Sequence, residues 1–157
     1  MTRYIKLKLD IKSKFMDTAK DKIEQTLINI GITPSDAWKE DDDWYLLENN
    51  GLLIIFREKE ATVESTNELI NTINISAPVM SISETMPIEF YKEIISINND
   101  IADGTSLQIV NNKKVFMNIY IIEEFYTPDF GMHSIKNIIT WARKLKPELE
   151  WKYREYL

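Results

Sequence analysis

The chain contains no cysteine and a single histidine, His133. Disulfides, thiolate metal centres, cysteine nucleophiles and thiol redox switches are therefore excluded, and a zinc site built on two histidines cannot be assembled. Glycine is equally scarce. Its four copies, Gly31, Gly51, Gly104 and Gly131, are too dispersed to form a phosphate-cradling loop. No apolar run approaches the roughly 18 residues of a membrane span. The first apolar stretch, 4–11, is interrupted by Lys6, Lys8 and Asp10 and does not read as a signal-peptide core. With neither an export signal nor cysteine, a cytoplasmic location is expected, with no membrane partner.

What is present is a globular composition. In 157 residues, 44% are apolar and 28% charged, enough for one domain with a substantial core. We read a single domain over 1–157, with its core at about 13–146 and an aromatic C-terminal tail at 147–157. The isoleucine- and asparagine-rich composition is an accent of AT-rich bacterial or phage genomes. The net charge of −6 is unevenly spread: residues 1–22 carry seven basic against three acidic side chains, and residues 136–157 carry six against three. The stretch between them is strongly acidic. A nucleic-acid binder needs a basic face to displace phosphate counterions, so no nucleic-acid partner is expected.

The hydrophobic periodicity sets out the elements. Phe15, Ala19, Ile23, Leu27 and Ile30 share one helical face, with Ser13 as N-cap and Gly31 as the terminating glycine. Residues 44–48 and 52–56 flank Asn49-Asn50-Gly51 as a hairpin. Residues 57–71 fit neither period and read as a loop with a short helix. Ile73, Ile75, Ala77 and Val79 alternate along a strand over 72–83. A second helix over 87–102, capped by Thr85, carries a wide apolar face and should be buried. A second hairpin turns at Asn111-Asn112-Lys113, between strands 106–110 and 115–125. On the second of these, Phe116, Tyr120 and Ile122 suggest that both faces are covered. Ile135, Ile138, Ile139, Ala142 and Leu145 define a third helix, stopped by Pro147. The fold class is α+β, an antiparallel β-sheet built from hairpins with helices packed against it, in the order (β)-α-β-β-β-α-β-β-α.

Catalytic signatures are sparse. His133 precedes the third helical stripe and reads as a surface or capping residue. Glu123 and Glu124 alternate across a strand and point to opposite faces. Glu89 and Glu93, at i and i+4 on one helix, are the only carboxylate pair that could meet, and no metal ligand or histidine lies near them in sequence. The aspartates at 41–43 lack the spacing of a calcium loop, so no cofactor or metal is expected. Candidate partner-binding residues are the acidic run Glu40, Asp41, Asp42 and Asp43 and the flanking Trp38 and Trp44, which could act as aromatic anchors. Trp151, Tyr153 and Tyr156 read as a docked tail.

One resemblance adds to this reading. The segments PVMSISETMPIEFYKEIISINNDI, TSLQIVNNKKVFMNIYIIEEF and IKNIITWARKL follow one another as strand-helix, hairpin and final helix. In that pattern the chain resembles the class I type III secretion chaperone fold and the related YbjN-like domains over roughly residues 15–145. The resemblance implies a small, acidic, cytosolic and dimeric protein that holds an extended segment of another protein without a cofactor. Two departures stand out, the length of 57–71 and the tail beyond Pro147. The function expected is a non-enzymatic protein-binding module, chaperone-like or adaptor, that masks a segment of a partner. It could do so through an exposed strand edge such as 106–110 or 44–48. The alternatives are an immunity or inhibitor protein that neutralises a basic toxin or nuclease through its acidic surface, and a small enzyme using Glu89 and Glu93.

Overall fold

A computed structural model describes residues 18–40, 43–47 and 53–157. Helix α1 (Ala19–Asn29) begins at Thr18, whose hydroxyl accepts the Asp21 N–H at 3.2 Å. That replaces Ser13 as the cap; Ser13 and Phe15 lie outside the described residues, as does the first expected strand. The helix ends as expected. Gly31 takes φ +86°, and the N–H groups of Gly31 and Ile32 return to the carbonyls of Ile28 and Leu27.

Six strands follow in one antiparallel sheet: β1 (Trp38–Glu40), β2 (Asp43–Leu47), β3 (Leu53–Val63), β4 (Glu68–Ser81), β5 (Ser106–Val110) and β6 (Lys114–Ile122). Their spatial order is β1-β2-β3-β4-β6-β5. β1 is an addition to the expected list, a three-residue strand laid outside β2. The larger difference is at 57–71. Instead of a loop, β3 continues to Val63, turns through Asn67 at φ 53°, and returns as β4 in unbroken register from Val63↔Glu68 to Ile55↔Ser76. The alternation signal fails there because the ribbon projects past its neighbours, so neither of its faces is consistently buried. The Asn49-Asn50-Gly51 turn lies outside the described residues, but the β2–β3 pairing it would join is present from Leu47↔Leu53 to Trp44↔Phe56. Asn111 and Asn112, at φ 54° and 52°, form the tight β5–β6 turn.

Helices α2 (Ile88–Asp100) and α3 (Pro128–Lys152) complete the chain. The core lies on one side of the sheet. There Ile54, Phe56, Ile73, Ile75, Ala77, Val79, Val115 and Met117 meet Ile23 and Leu27 of α1 and Ile135, Ile138 and Ala142 of α3. The opposite side is different: it carries Thr72, Asn74, Ser76 and Asn118, tied by Asn74 Nδ2 to the Ile119 carbonyl and Asn118 Nδ2 to Gln108. Tyr120 and Ile122 stand exposed on that side, at 44% and 37%, so among the described residues the apolar cover expected for the second face does not reach them. Polar side chains satisfied across the strands make a face that tolerates water.

Helix α3 is longer than expected. It runs straight through Pro147 to Lys152, because Leu145, Leu149 and then Tyr153 continue the buried stripe at four-residue spacing. Pro147 is solvent-exposed, and the anchoring residues either side of it hold the helix together. Near the other end, α1 and α3 pass so closely that a Cβ added to Gly131 would sit 2.0 Å from Tyr126 Oη and 2.8 Å from Thr26 Cγ2. Thr26 Oγ1 and Tyr126 Oη share a buried hydrogen bond at 2.7 Å in that crossing. Burial pushes the Tyr126 hydroxyl up to about 12, even though Thr26 acts in the opposite direction.

Helix α2 is the least embedded element. Thr85 does not cap it; the N-cap position is Pro87, with no side-chain hydrogen bond, and Thr85 instead meets Ser83. Only Phe90 and Ile94 of the helix are buried, while Ile88 and Ile95 stand 64% and 61% exposed. The expectation of a buried helix is corrected: its apolar residues divide between an inner face and an outer one.

Candidate partner-binding surfaces

The acidic corner expected from the sequence falls on β1 and β2. Glu40 closes β1 and is exposed. Asp43 opens β2 and is held by Arg57, whose Nε and Nη2 donate to one carboxylate oxygen at 2.9 and 2.8 Å. Asp41 and Asp42 lie outside the described residues, and Trp38 is placed as the first residue of β1. Trp44 is in the core at 4% exposure, with the Lys39 ammonium 4.7 Å above its ring. Most of its ring is thus enclosed within the fold, and it meets solvent only as part of a groove lining. The strand alternation explains this: Trp44 pairs Phe56, and both point to the helix side. A groove of about 540 Å³ between α1 and this corner is lined by Lys20, Glu24, Lys39 and Trp44, a mixed rather than an acidic lining.

The strand edges differ from one another. Of the expected edge at 44–48, Trp44 and Tyr45 are paired by β1, and Glu48 lies outside the described residues. β5 is an edge, but it is guarded. The Asn98 carboxamide of α2 accepts the Leu107 N–H at 2.6 Å and donates to the Leu107 carbonyl at 3.0 Å, standing in for a neighbouring strand. Asn98 belongs to the INND run at the end of the helix, and nothing in the sequence pattern marks it as an edge clamp. The same loop is tied further by Asp103. It accepts Thr105 through the N–H at 3.0 Å and through the hydroxyl, and Trp141 Nε1 at 3.1 Å. Partial burial pushes the Asp103 carboxyl up, but these donors together hold it below its ordinary value.

The C-terminal end forms a third surface. Tyr153 is buried against Phe90, ring centroids 5.1 Å apart and nearly perpendicular, and its hydroxyl donates to the Glu93 carboxylate. Lys152 Nζ lies 2.8 Å from the same carboxylate. Trp151, by contrast, is 69% exposed with the Arg154 guanidinium stacked 4.1 Å from its ring centroid. The tail is docked through Tyr153 and presents Trp151 outward. Between α2 and this tail runs a groove of about 600 Å³ containing Pro87, Glu89, Glu93, Lys152 and Tyr156. Glu89 and Glu93 therefore do line one groove. Burial pushes Glu93 up, but the hydrogen bonds from Lys152 and Tyr153 outweigh it and keep the carboxyl below its usual value. A carboxylate held ionised by two donors is poorly suited to act as a general acid. His133 is exposed on α3. Among the described residues no cluster of three or more histidine, aspartate or glutamate side chains could hold a metal, and no described helix is long and apolar enough to cross a membrane.

No family model matches the sequence, and no curated protein matches it. Solved structures do. A chain of the HopA1–SchA chaperone–effector complex superposes over 82% of this chain and 92% of its own length, with a TM-score of 0.56 at 8% identity. A chain of the ExsC–ExsE complex does so over 79% and 87%, with a TM-score of 0.54 at 14% identity. The fold is that of the class I type III secretion chaperones. The sequence-level resemblance is thus matched in three dimensions over most of the domain, and the identity is so low that what is shared is the arrangement of backbone elements.

Proposed function

We propose that this secretion-chaperone-like chain is a non-enzymatic, cytoplasmic protein-binding module that holds a segment of a partner protein and works as a homodimer. The observation that carries the reading is the superposition, over nearly the whole domain, on a chain taken from a chaperone–effector complex. Surface chemistry supports it. Ile88 and Ile95 are seven residues apart on the outer face of α2, two turns along one stripe, and give a second copy something apolar to cover. Trp151 offers an exposed aromatic of the kind that anchors interfaces. The acidic corner of Glu40, Asp41, Asp42 and Asp43 steers a partner by charge rather than by an aromatic anchor.

The test is reconstitution. Proteins co-isolated with the tagged chain from its native cell are purified individually and mixed with it. A complex of fixed stoichiometry that protects the partner from protease supports the reading, and failure of every co-isolated protein to form one overturns it. Affinity that stays flat from low to high salt fits a held segment. A steep salt dependence would instead favour neutralisation of a basic enzyme through the acidic corner.

A further inference from the structure

The corner where β4 enters the body of the sheet combines uncovered apolar surface with unpaired charge. A groove of about 480 Å³ opens there, lined by Lys22 of α1, Ile70 and Asn71 of β4, Ile122 at the end of β6, and Glu123 and Glu124 just beyond it. Ile122 is 37% exposed, and Leu69 and Phe125, each next in the chain to a lining residue, are 64% and 65% exposed. Single apolar residues on a surface need no explanation, but a concentration of them at a groove is what another surface covers. Lys22 does not neutralise the acidic side, because its ammonium donates to the Glu123 main-chain carbonyl at 2.6 Å. Among the described residues no ion pair engages the carboxylate of Glu123 or of Glu124.

Position and chemistry point to the chain itself as the occupant. α1 begins at its cap Thr18, one helical turn before Lys22, so the residues that precede it are tethered about 6 Å along the helix axis from a lining residue. Residues 4–12 span about 30 Å at full extension and are linked to Thr18 through 13–17, ample reach for the groove. A tether this short gives an effective concentration on the order of millimolar, which a partner arriving from solution has to match. In 4–12, Ile5, Leu7, Leu9 and Ile11 alternate with Lys6, Lys8, Asp10 and Lys12. An apolar row accompanied by three lysines and one aspartate complements an apolar groove flanked by two glutamates.

We propose that residues 4–12 dock in this groove as an intramolecular strap, with the apolar row against Ile70 and Ile122 and the lysines against Glu123 and Glu124. The contact lies within one chain and goes beyond the protein-binding reading, since it stands whether or not a partner is held. While docked, the strap covers the apolar corner, and another chain reaches that corner only by displacing it.

The experiment uses the whole chain. Because the sequence has no cysteine, Thr2→Cys carries a nitroxide at a single place. Its paramagnetic broadening of isoleucine methyl signals should be strong at Ile70 and Ile122 and weak at Ile109, which sits on β5 opposite Val115, at the other end of β6. Lys6→Glu with Lys8→Glu should abolish the broadening at Ile70 and Ile122. Adding Glu123→Lys with Glu124→Lys to that variant should restore it, a recovery that a misfolded protein cannot give. Leu7→Ser with Leu9→Ser should also abolish it and, by uncovering the corner, raise the fluorescence of an added hydrophobic dye. Equal broadening at all three isoleucines, broadening that survives the lysine reversals, or no recovery on the charge swap would overturn the proposal. Broadening of Ile70 and Ile122 in a mixture of nitroxide-bearing chain with separately isotope-labelled chain would overturn it too, since a second copy would then be the occupant.

Discussion

The crossing of α1 and α3 at Gly131 gives a quantitative test. Replacing Gly131 with alanine places a methyl group 2.0 Å from Tyr126 Oη and 2.8 Å from both Tyr126 Cζ and Thr26 Cγ2. The tyrosine cannot simply swing away, because it is 2% exposed and bound to Thr26. Overpacking of this kind costs about 1–3 kcal/mol. Displacing the ring also strands the buried Tyr126 hydroxyl, at about 1–3 kcal/mol, while Thr26 keeps its bond to the Lys22 carbonyl. Alanine's better helix propensity returns about 1 kcal/mol. The net loss is about 3 kcal/mol, or a fall in Tm of roughly 10 °C for a domain of this size. Chemical and thermal denaturation of Gly131→Ala measure it. The double variant Gly131→Ala with Tyr126→Phe removes the nearest atom and should be less destabilised than the sum of the two single changes, by about 1 kcal/mol of coupling. A Gly131→Ala protein as stable as the wild type would refute the close crossing.

Three further outcomes are expected. Asn98→Leu removes the clamp on β5, leaves the Leu107 main chain unpartnered at a cost of about 1–3 kcal/mol, and opens an edge. Concentration-dependent aggregation by light scattering should rise, and unchanged solubility with unchanged stability would count against the clamp. Ile88→Asp with Ile95→Asp should turn a dimer into a monomer by light scattering on a sizing column without lowering Tm; an unaltered mass would place any dimer contact elsewhere. The Glu93 carboxyl sits below its ordinary value when folded, so its contribution to stability is present above the unfolded carboxylate pKa and is lost as pH falls through the folded one. The order of events should therefore be acid release of the C-terminal turn, seen as increased Trp151 fluorescence change, before global unfolding. Glu93→Gln should remove that early step, and its persistence in the variant would show that another group governs it.

Much of the architecture was legible because it rests on periodicity and turn chemistry. Ile73, Ile75, Ala77 and Val79 announce the central strand, and Asn111-Asn112 the hairpin, since backbone sterics select such residues directly. The ribbon at 57–71 was illegible for a physical reason: a strand with water on both sides loses the pattern that reveals strands. Pro147 misled in the opposite direction, because the signal of a single breaker is local while Leu149 and Tyr153 bury beyond it. The candidate surface was harder still. Trp44 and Trp151 look alike in sequence, yet one faces the core and the other solvent, a distinction set by strand parity in the first case and helix phase in the second. Asn98 could not be picked out from Asn99 beside it, since only its position against Leu107 gives it a role.

The strand order carries a consequence for synthesis. β4 finds β3 at once, through a tight turn, but its other neighbour, β6, is made only after α2 and β5 have emerged. Until then the apolar row Ile73, Ile75, Ala77 and Val79 has neither its second flanking strand nor the α3 helix that covers it. Pairings distant along the chain close late and slowly. A ribosome-bound chain halted before Lys114 therefore presents a half-finished sheet with its stickiest strand at the margin, the species that chaperones and proteases meet first. The several seconds over which the chain from the end of β4 to the end of α3 is translated, at about 5–20 residues per second, are the interval in which this protein is most exposed to misassembly.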